Sequence, residues 1–300
     1  MTIYEAQQRL IFQLFEIYDN REAANIADLV MEHITGWKKI DRILNKQVPL
    51  LNDKITLLEK FTTELLVHKP VQYVLNEAWF YGLKFFVNEH VLIPRPETEE
   101  LVEWIVREVG DTRYEVQNKN QDPENRHEHH TLRIFDVGTG SGCIPITLKK
   151  NLHSADIYTC DISKEALGVA QRNALEHQAD IGLLHIDFLD ISQWEHLPFF
   201  DIVVSNPPYI PLKDKETMRP NVIDYEPHLA LFVENNDPLI FYRSIADFAK
   251  EKLRPGGIIF AELHEGLATG VQEVFAEKGF DNMEIKKDMQ GKDRMIKVNR

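Results

Sequence analysis

From Leu132 onward the chain alternates short apolar runs with segments of helical period: "LRIFDVG", a helix through Leu148, "DIYTCDI", a helix over 164–177, "GLLHID", then "DIVVSN". Apolar runs of that length, rich in Ile and Val, suit strands buried on both faces. Strands separated by helices require right-handed crossovers and a parallel sheet. The pattern continues with a helix over 238–253, the turn "RPGG", the strand "IIFAEL" and a helix over 266–278. Two strands follow, "NMEIKKDM" and "RMIKVN", joined by "QGKD". So short a connection makes a hairpin, which turns the last strand antiparallel. The expected fold class is α/β: a Rossmann-like, mostly parallel sheet with a C-terminal antiparallel hairpin strand.

The first 70 residues have another character. Apolar residues recur at helical spacing in Leu10, Leu14 and Ile17, in Ala23, Ile26, Ala27 and Val30, and in Ile55, Leu58, Phe61 and Leu65. Gly36 and Pro70 end two of these segments, and Asn52 or Asp53 is expected to cap the last. We therefore expect a small helical domain over 1–70. Residues 71–93, with aromatics around Gly82, suit a hairpin linker. The catalytic-type domain then spans 94–300. It opens on the helix "PRPETEELVEWIVREV", with Pro96 in the first turn and Glu97, Glu99 and Glu100 complementing the positive helix end. A polar stretch at about 111–131, holding "QNKNQDPENRHEHH", reads as a flexible insertion.

Two motifs lie where open α/β sheets bind ligands, at strand carboxyl ends. In "FDVGTGSGC", Gly138, Gly140 and Gly142 allow a sharp turn and close approach of backbone to ligand, and the helix that follows presents N–H groups to an anion. Asp161 ends the second strand, where a carboxylate can accept both hydroxyls of a ribose. Together they indicate a nucleoside-containing cofactor, leaving open a nicotinamide dinucleotide or S-adenosylmethionine. The stretch "SNPPYI" separates these. Hydride transfer has no use for an Asn-Pro-Pro-Tyr loop, whereas methylation of a conjugated nitrogen does. The lone pair of an amide or exocyclic amine is delocalised, so its N–H groups must be held and its plane oriented. The Asn206 side-chain oxygen and the Pro207 carbonyl can each accept one N–H, stabilising the positive charge that develops on nitrogen. Tyr209 can stack on the flat group.

"NPPY", "DVGTGSG", "VLIPRPETEELVE", "PVQYVL" and the "RPGG" turn, in this order behind a helical N-terminal domain, resemble the peptide chain release factor glutamine-N5 methyltransferases, the HemK/PrmC family. The resemblance runs to the end of the chain, including Asp288-x-x-Gly291-x-x-Arg294. It implies a class I S-adenosylmethionine-dependent methyltransferase domain, a substrate-recognising helical domain over 1–70, and methyl transfer to the side-chain nitrogen of the glutamine in the Gly-Gly-Gln motif of release factors. It further implies that Asp136, Gly138, Thr139, Gly140, Ser141, Gly142 and Asp161 hold the cofactor, with Asp187 and Phe188 flanking its adenine and Asn206 bordering it. Asn206, Pro207, Pro208 and Tyr209 are then the substrate grip, with Asn206, Pro207 and Tyr209 catalytic. The chain departs from the family in "VLNEAWFYG", where a glycine usually follows "QY" closely, and in "AELHEG", where a shorter acidic-x-Gly is usual.

"NPPY" is shared with adenine-N6 and guanine-N2 methyltransferases, so a nucleic-acid amino methyltransferase is the competing class. The formal charge of −14, from 34 basic and 48 acidic residues, repels phosphate backbones and argues against stable nucleic-acid binding. A non-catalytic module on a decayed scaffold would have lost Asn206 or the glycines. Both are intact. Cys143 and Cys160 have no Cys-x-x-Cys spacing and fit a reducing compartment. Adjacent histidines, His127 to His130, lack the spacing of a built metal site, and no metal is expected. No apolar run is long enough to span a membrane, and the expectation is a soluble, cytoplasmic protein. Arg95 has two readings, ordering the linker or touching the cofactor.

Overall fold

Alternate residues of a strand face opposite ways, so a strand that is apolar throughout needs cover on both sides. The computed structural model describes residues 1–111 and 131–300, and it supplies that cover. The insertion expected at about 111–131, with His127 to His130, lies outside the described residues apart from its two ends. The described residues form two units, Met1–Glu77 with Met218–Tyr225, and Ala78–Thr217 with Glu226–Arg300.

The first unit is helical: α1 (Ile3–Leu14), α2 (Asn20–Thr35), α3 (Lys39–Leu44), α4 (Asn52–Leu65) and the short α5 (Val71–Leu75). Helix α1 starts on a reciprocal cap between Thr2 and Glu5. The C-cap of α2 is Gly36, at φ 72°. The start of α4 differs from expectation, because Leu51 occupies the cap and Asn52 is already helical. Leu10, Leu14, Val30, Phe61 and Leu65 meet in one core. Beside it Arg42, 3% exposed, donates to Asp28 Oδ1 (2.8 Å) and the Trp37 carbonyl (2.7 Å), which pairs the buried charge and leaves its Nε without a partner among the described residues. Tyr225 joins this unit by donating to the Val67 carbonyl (2.6 Å).

In the second unit the strands within 71–93 are β1 (Ala78–Phe80) and β2 (Leu83–Phe85), an antiparallel pair. They follow α5, so the first turn and a half of that stretch is helix. Then come α6 (Pro96–Asp111), β3 (Arg133–Val137), α7 (Cys143–Asn151), β4 (Asp156–Asp161), α8 (Lys164–Glu176), β5 (Gly182–His185) and β6 (Phe200–Ser205). A two-residue parallel pair, β7 (Ile210–Pro211) and β8 (Phe232–Val233), precedes α9 (Ile240–Lys252), β9 (Leu253–Glu262), α10 (Ala268–Glu277), β10 (Asn282–Lys287) and β11 (Asp293–Asn299). The main sheet runs β10-β11-β9-β6-β3-β4-β5. Pairings from β9 through β5 are parallel, and β11 is antiparallel to both its neighbours. This is the class I methyltransferase arrangement expected from the sequence.

Register decides where the chemistry sits. Val137 pairs with Cys160 on one side and Ser205 on the other, and Ser205 pairs with Ala261. The glycine loop, Asp161, Asn206 and Glu262 therefore emerge at one edge, at the point where strand order reverses around β3. The faces divide by period two. Phe135, Val203 and Ile259 pack under α9 and α10, while Ile134, Ile202 and Phe260 pack under α6 and α7. Phe248 of α9 is fully buried and stacks on Phe135 at 5.0 Å, and its ring lies 5.4 Å from that of Phe188. Phe248→Ala should cost about 3–5 kcal/mol of stability. Denaturant titration followed by circular dichroism checks this, and a loss under about 1 kcal/mol would show that the site collapses around the missing ring.

Candidate active site

The loop after β3 is held open by its glycines. Gly138 sits at φ +90°, and a Cβ on Gly142 (φ +81°) would stand 2.9 Å from Ile146 Cδ1 and 3.2 Å from Ala170 Cβ, so only glycine lets α7 and α8 close here. The N–H groups of Gly138 and Thr139 both donate to the Cys160 carbonyl (3.0 Å each). Asp161 clasps the loop as well, with Oδ2 accepting from Gly140 N (2.9 Å) and Oδ1 from Ser163 N (2.9 Å). Burial raises the Asp161 carboxyl above its ordinary value, and these N–H groups oppose that rise. The cap of α8 is Ser163, whose hydroxyl accepts from Ala166 N (3.1 Å).

Asn173 belongs to none of the sequence motifs above. It is fully buried on α8, where its Nδ2 donates to the carbonyls of Ser141 (2.8 Å) and Phe86 (2.9 Å) and its Oδ1 accepts from Phe86 N (2.8 Å). It ties the glycine loop to the segment after β2. An asparagine in register with Ala166, Val169, Ala170 and Ala174 on the apolar face of a helix was the available signal.

Along the strand ends lies a cavity of about 350 Å³. Gly138, Thr139, Gly140 and Ser141 form one part of its wall, Asp161, Asp187 and Phe188 a second, and Asn206, Pro207 and Pro208 a third. Three expected site residues are not in that wall: Asp136, Gly142 and Tyr209. Gly142 is the N-cap of α7. Tyr209 is partly buried against the core, and its hydroxyl donates to Glu262 Oε1 (3.0 Å). Its hydroxyl is held well above the usual phenol range by burial and by the Glu262 charge. Cys143 also borders the cavity, and burial pushes its thiol up to about 12, which keeps it protonated and unreactive. Arg95 lines the cavity and donates to buried Glu226 Oε1 (2.6 Å). Glu226 Oε2 in turn accepts from Ile93 N (3.2 Å), fixing the backbone just ahead of "PRPE".

Asn206 follows directly on β6. The last β6 residue, Ser205, donates its hydroxyl to the Val137 carbonyl (2.7 Å), and a Cβ on Gly138 would lie 3.9 Å from the Asn206 carbonyl. The two motifs are thus in contact. Asn206 Nδ2 donates to Thr98 Oγ1 (3.1 Å), and Thr98 Oγ1 donates to Glu262 Oε2 (2.7 Å). Thr98 comes from "IPRPETE", which the sequence offered only as a signature, and Glu262 from the strand end that departs from the family pattern.

Asp136 lies beneath the loop, fully buried, with Oδ2 accepting from Thr159 Oγ1 (2.6 Å) and Oδ1 without a partner. Burial, with the Asp161 charge adding to it, pushes its carboxyl up to about 8. The folded protein then keeps a proton that the unfolded chain loses near 4. The contribution of this group to stability is whole below that value and is lost as pH rises towards about 8. Asp136→Asn should gain stability relative to the parent across this window, in denaturant titrations at a series of pH values. An unchanged difference from acid to neutral pH would contradict the neutral acid.

Comparison with known proteins matches both the helical part and the sheet-bearing part of the chain. Residues 5–75 match the family described as PrmC N-terminal domain, and residues 124–224 match the methyltransferase small domain. The release factor glutamine methyltransferase of Flavobacterium psychrophilum is 40% identical, with 100% of this chain and 99% of that protein covered. That of Bacteroides thetaiotaomicron is 37% identical over 96% of each chain. Among solved structures, the hMettl16 catalytic domain in complex with MAT2A 3'UTR hairpin 6 aligns at a TM-score of 0.52 with 17% identity, covering 85% of this chain and 84% of that one, a likeness of fold alone. With relatives of that identity along its whole length and both of its parts matched, the chain belongs to the release factor glutamine methyltransferases.

Proposed function

We propose that the protein transfers a methyl group from S-adenosylmethionine to the side-chain nitrogen (N5) of a glutamine in peptide chain release factors, the glutamine of their Gly-Gly-Gln motif. The observation that carries this reading is Asn206: the residue borders the cavity with its Nδ2 committed to Thr98, which leaves Oδ1 as the acceptor end of a held amide. The residues suit the cofactor. The cavity wall combines a backbone cradle, the Asp161 carboxylate for ribose hydroxyls, and Asp187 with Phe188 for a purine.

S-Adenosylmethionine, when bound, would supply a methyl group on a positively charged sulfur: the C–S bond would break to leave a neutral thioether as the acceptor nitrogen's lone pair forms the C–N bond, and one nitrogen proton would pass to water. The chain's own task is to hold that nitrogen. Asn206 Oδ1 and the Pro207 carbonyl accept its two N–H groups, localising density on nitrogen and meeting the charge that develops there. Tyr209, tied at its hydroxyl to Glu262, is assigned to the flat face of the carboxamide. Glycines flanking the target glutamine would let a loop enter a narrow site. Residues 1–70 are assigned to recognition of the intact release factor, which would make it a better substrate than a short peptide. The net charge of −14 supports a protein partner over nucleic acid, and release factors place the reaction in the cytoplasm. Among the described residues no helix is long and apolar enough to cross a membrane.

Incubation with labelled S-adenosylmethionine and either release factor or nucleic acid tests the reading, and preferential labelling of nucleic acid would overturn it. Asn206→Ala should cost about 3 kcal/mol of transition-state stabilisation, ~100-fold or more in rate, with cofactor affinity little changed. Near-normal turnover would remove Asn206 from its role. Asp161→Ala should weaken cofactor binding by about 2 kcal/mol in calorimetry, through lost hydrogen bonds to ribose and a loosened clasp on Gly140. Unchanged affinity would place the ribose elsewhere.

A further inference from the structure

The hydrogen bonds behind Asn206 have a direction that chemistry dictates. Glu262, the last residue of β9, is 2% exposed, and its carboxylate accepts from two hydroxyls, Thr98 at Oε2 and Tyr209 at Oε1. A carboxylate only accepts. The single hydroxyl proton of Thr98 is therefore committed to Glu262, and Thr98 Oγ1 can meet Asn206 only with a lone pair. Nδ2 of Asn206 must be the end that faces it. Oδ1 is left without a partner among the described residues, on the residue that borders the cavity.

We propose that Thr98 and Glu262 are positioning residues that dictate which end of the Asn206 carboxamide meets the acceptor nitrogen, a role that rests on the reaction proposed above. Reversal of that amide would bring N–H against N–H and add positive charge where positive charge develops. Neither contact is favourable. The device lies outside "NPPY" itself and gives "IPRPETE" and the acidic end of β9 a shared task.

The ordering needs Glu262 ionised, since a neutral acid carries its own O–H and can donate to Thr98. Burial pushes the Glu262 carboxyl above its ordinary value, and the hydroxyls of Thr98 and Tyr209 and the Arg294 charge oppose that rise. The groups that face it are Glu97 and Thr98 from α6, Tyr209 from the loop after β6, and Arg294 from β11, itself paired with Asp288 (3.1 Å). Tyr242 of α9 donates to the Glu262 backbone carbonyl (2.9 Å). The active form is the charged one, so turnover is retained at high pH and lost as pH falls through a value above the usual carboxylate range.

Three full-length variants test the proposal on intact release factor, with turnover, KM, cofactor affinity and melting temperature measured for each. Thr98→Val keeps shape and removes the hydroxyl; its kcat should fall about 100-fold while KM and cofactor affinity hold. Thr98→Ser should restore near-parental turnover. Glu262→Gln, which can donate to Thr98, should be slow at every pH and lack the acid limb of the parent. If Thr98→Val does not fold, the Glu262→Gln pH profile beside Thr98→Ser decides. Parental turnover in Thr98→Val or Glu262→Gln overturns the positioning role, as does a fall in cofactor affinity and melting temperature that tracks the loss of kcat. A parent protein that transfers no methyl to release factor overturns instead the reaction on which the role rests.

Discussion

The parallel pairing of β3 with β6 is the interaction on which the rest depends. It sets Val137 beside Ser205 and so places the glycine loop in contact with the Asn-Pro-Pro-Tyr turn, with the Ser205 hydroxyl closing the gap at 2.7 Å. A shift of one residue would turn every apolar side chain of β6 to the opposite face, so burial on both faces locks the register. The same burial sharpens the carboxyl edge. Pro207 and Pro208 cannot extend the ladder, and the chain leaves the sheet with Asn206 at its rim.

Around that rim the polar groups form chains. Asp161 holds the glycine loop, Asn173 holds it from the far side, and Glu262 holds Thr98 and Tyr209. Buried polar groups of this kind are costly unless partnered, and a partnered network has few alternative geometries. The site is thus rigid for the same reason that it is expensive to build. Asp136, half satisfied and neutral at ordinary pH, is an exception, as is the buried Ser141 hydroxyl.

Much of this was legible in the sequence. Alternation of apolar runs with helices implied the parallel sheet, and "QGKD" implied the antiparallel last strand that β11 forms. The motifs implied that glycine loop, Asp161 and Asn206 share one edge, because all three stand at strand carboxyl ends. What remained hidden were partnerships across long stretches of chain. Nothing local to Thr98 announces Glu262, and nothing in "AELHEG" announces Tyr209, since the first contact exists only once α6 lies beside β9 and the second only once β6 pairs with β9. Asn173 was readable in principle as a polar residue on an apolar stripe. Helix boundaries slipped where caps were weak: α4 begins without any side-chain cap, so Asn52 and Asp53 gave a false start signal.

In the proposed reaction Asn206 presents a fixed acceptor to a glutamine carboxamide, making its nitrogen the methylated atom. Mass spectrometry of the glutamine-bearing loop of release factors, isolated from cells with and without this protein, tests that claim most directly. The expected result is one added methyl group, located by fragmentation on the glutamine side-chain nitrogen, in cells that contain the protein and absent from those that lack it. An identical unmethylated loop in both, or a methyl group on another atom of the release factor, would contradict it.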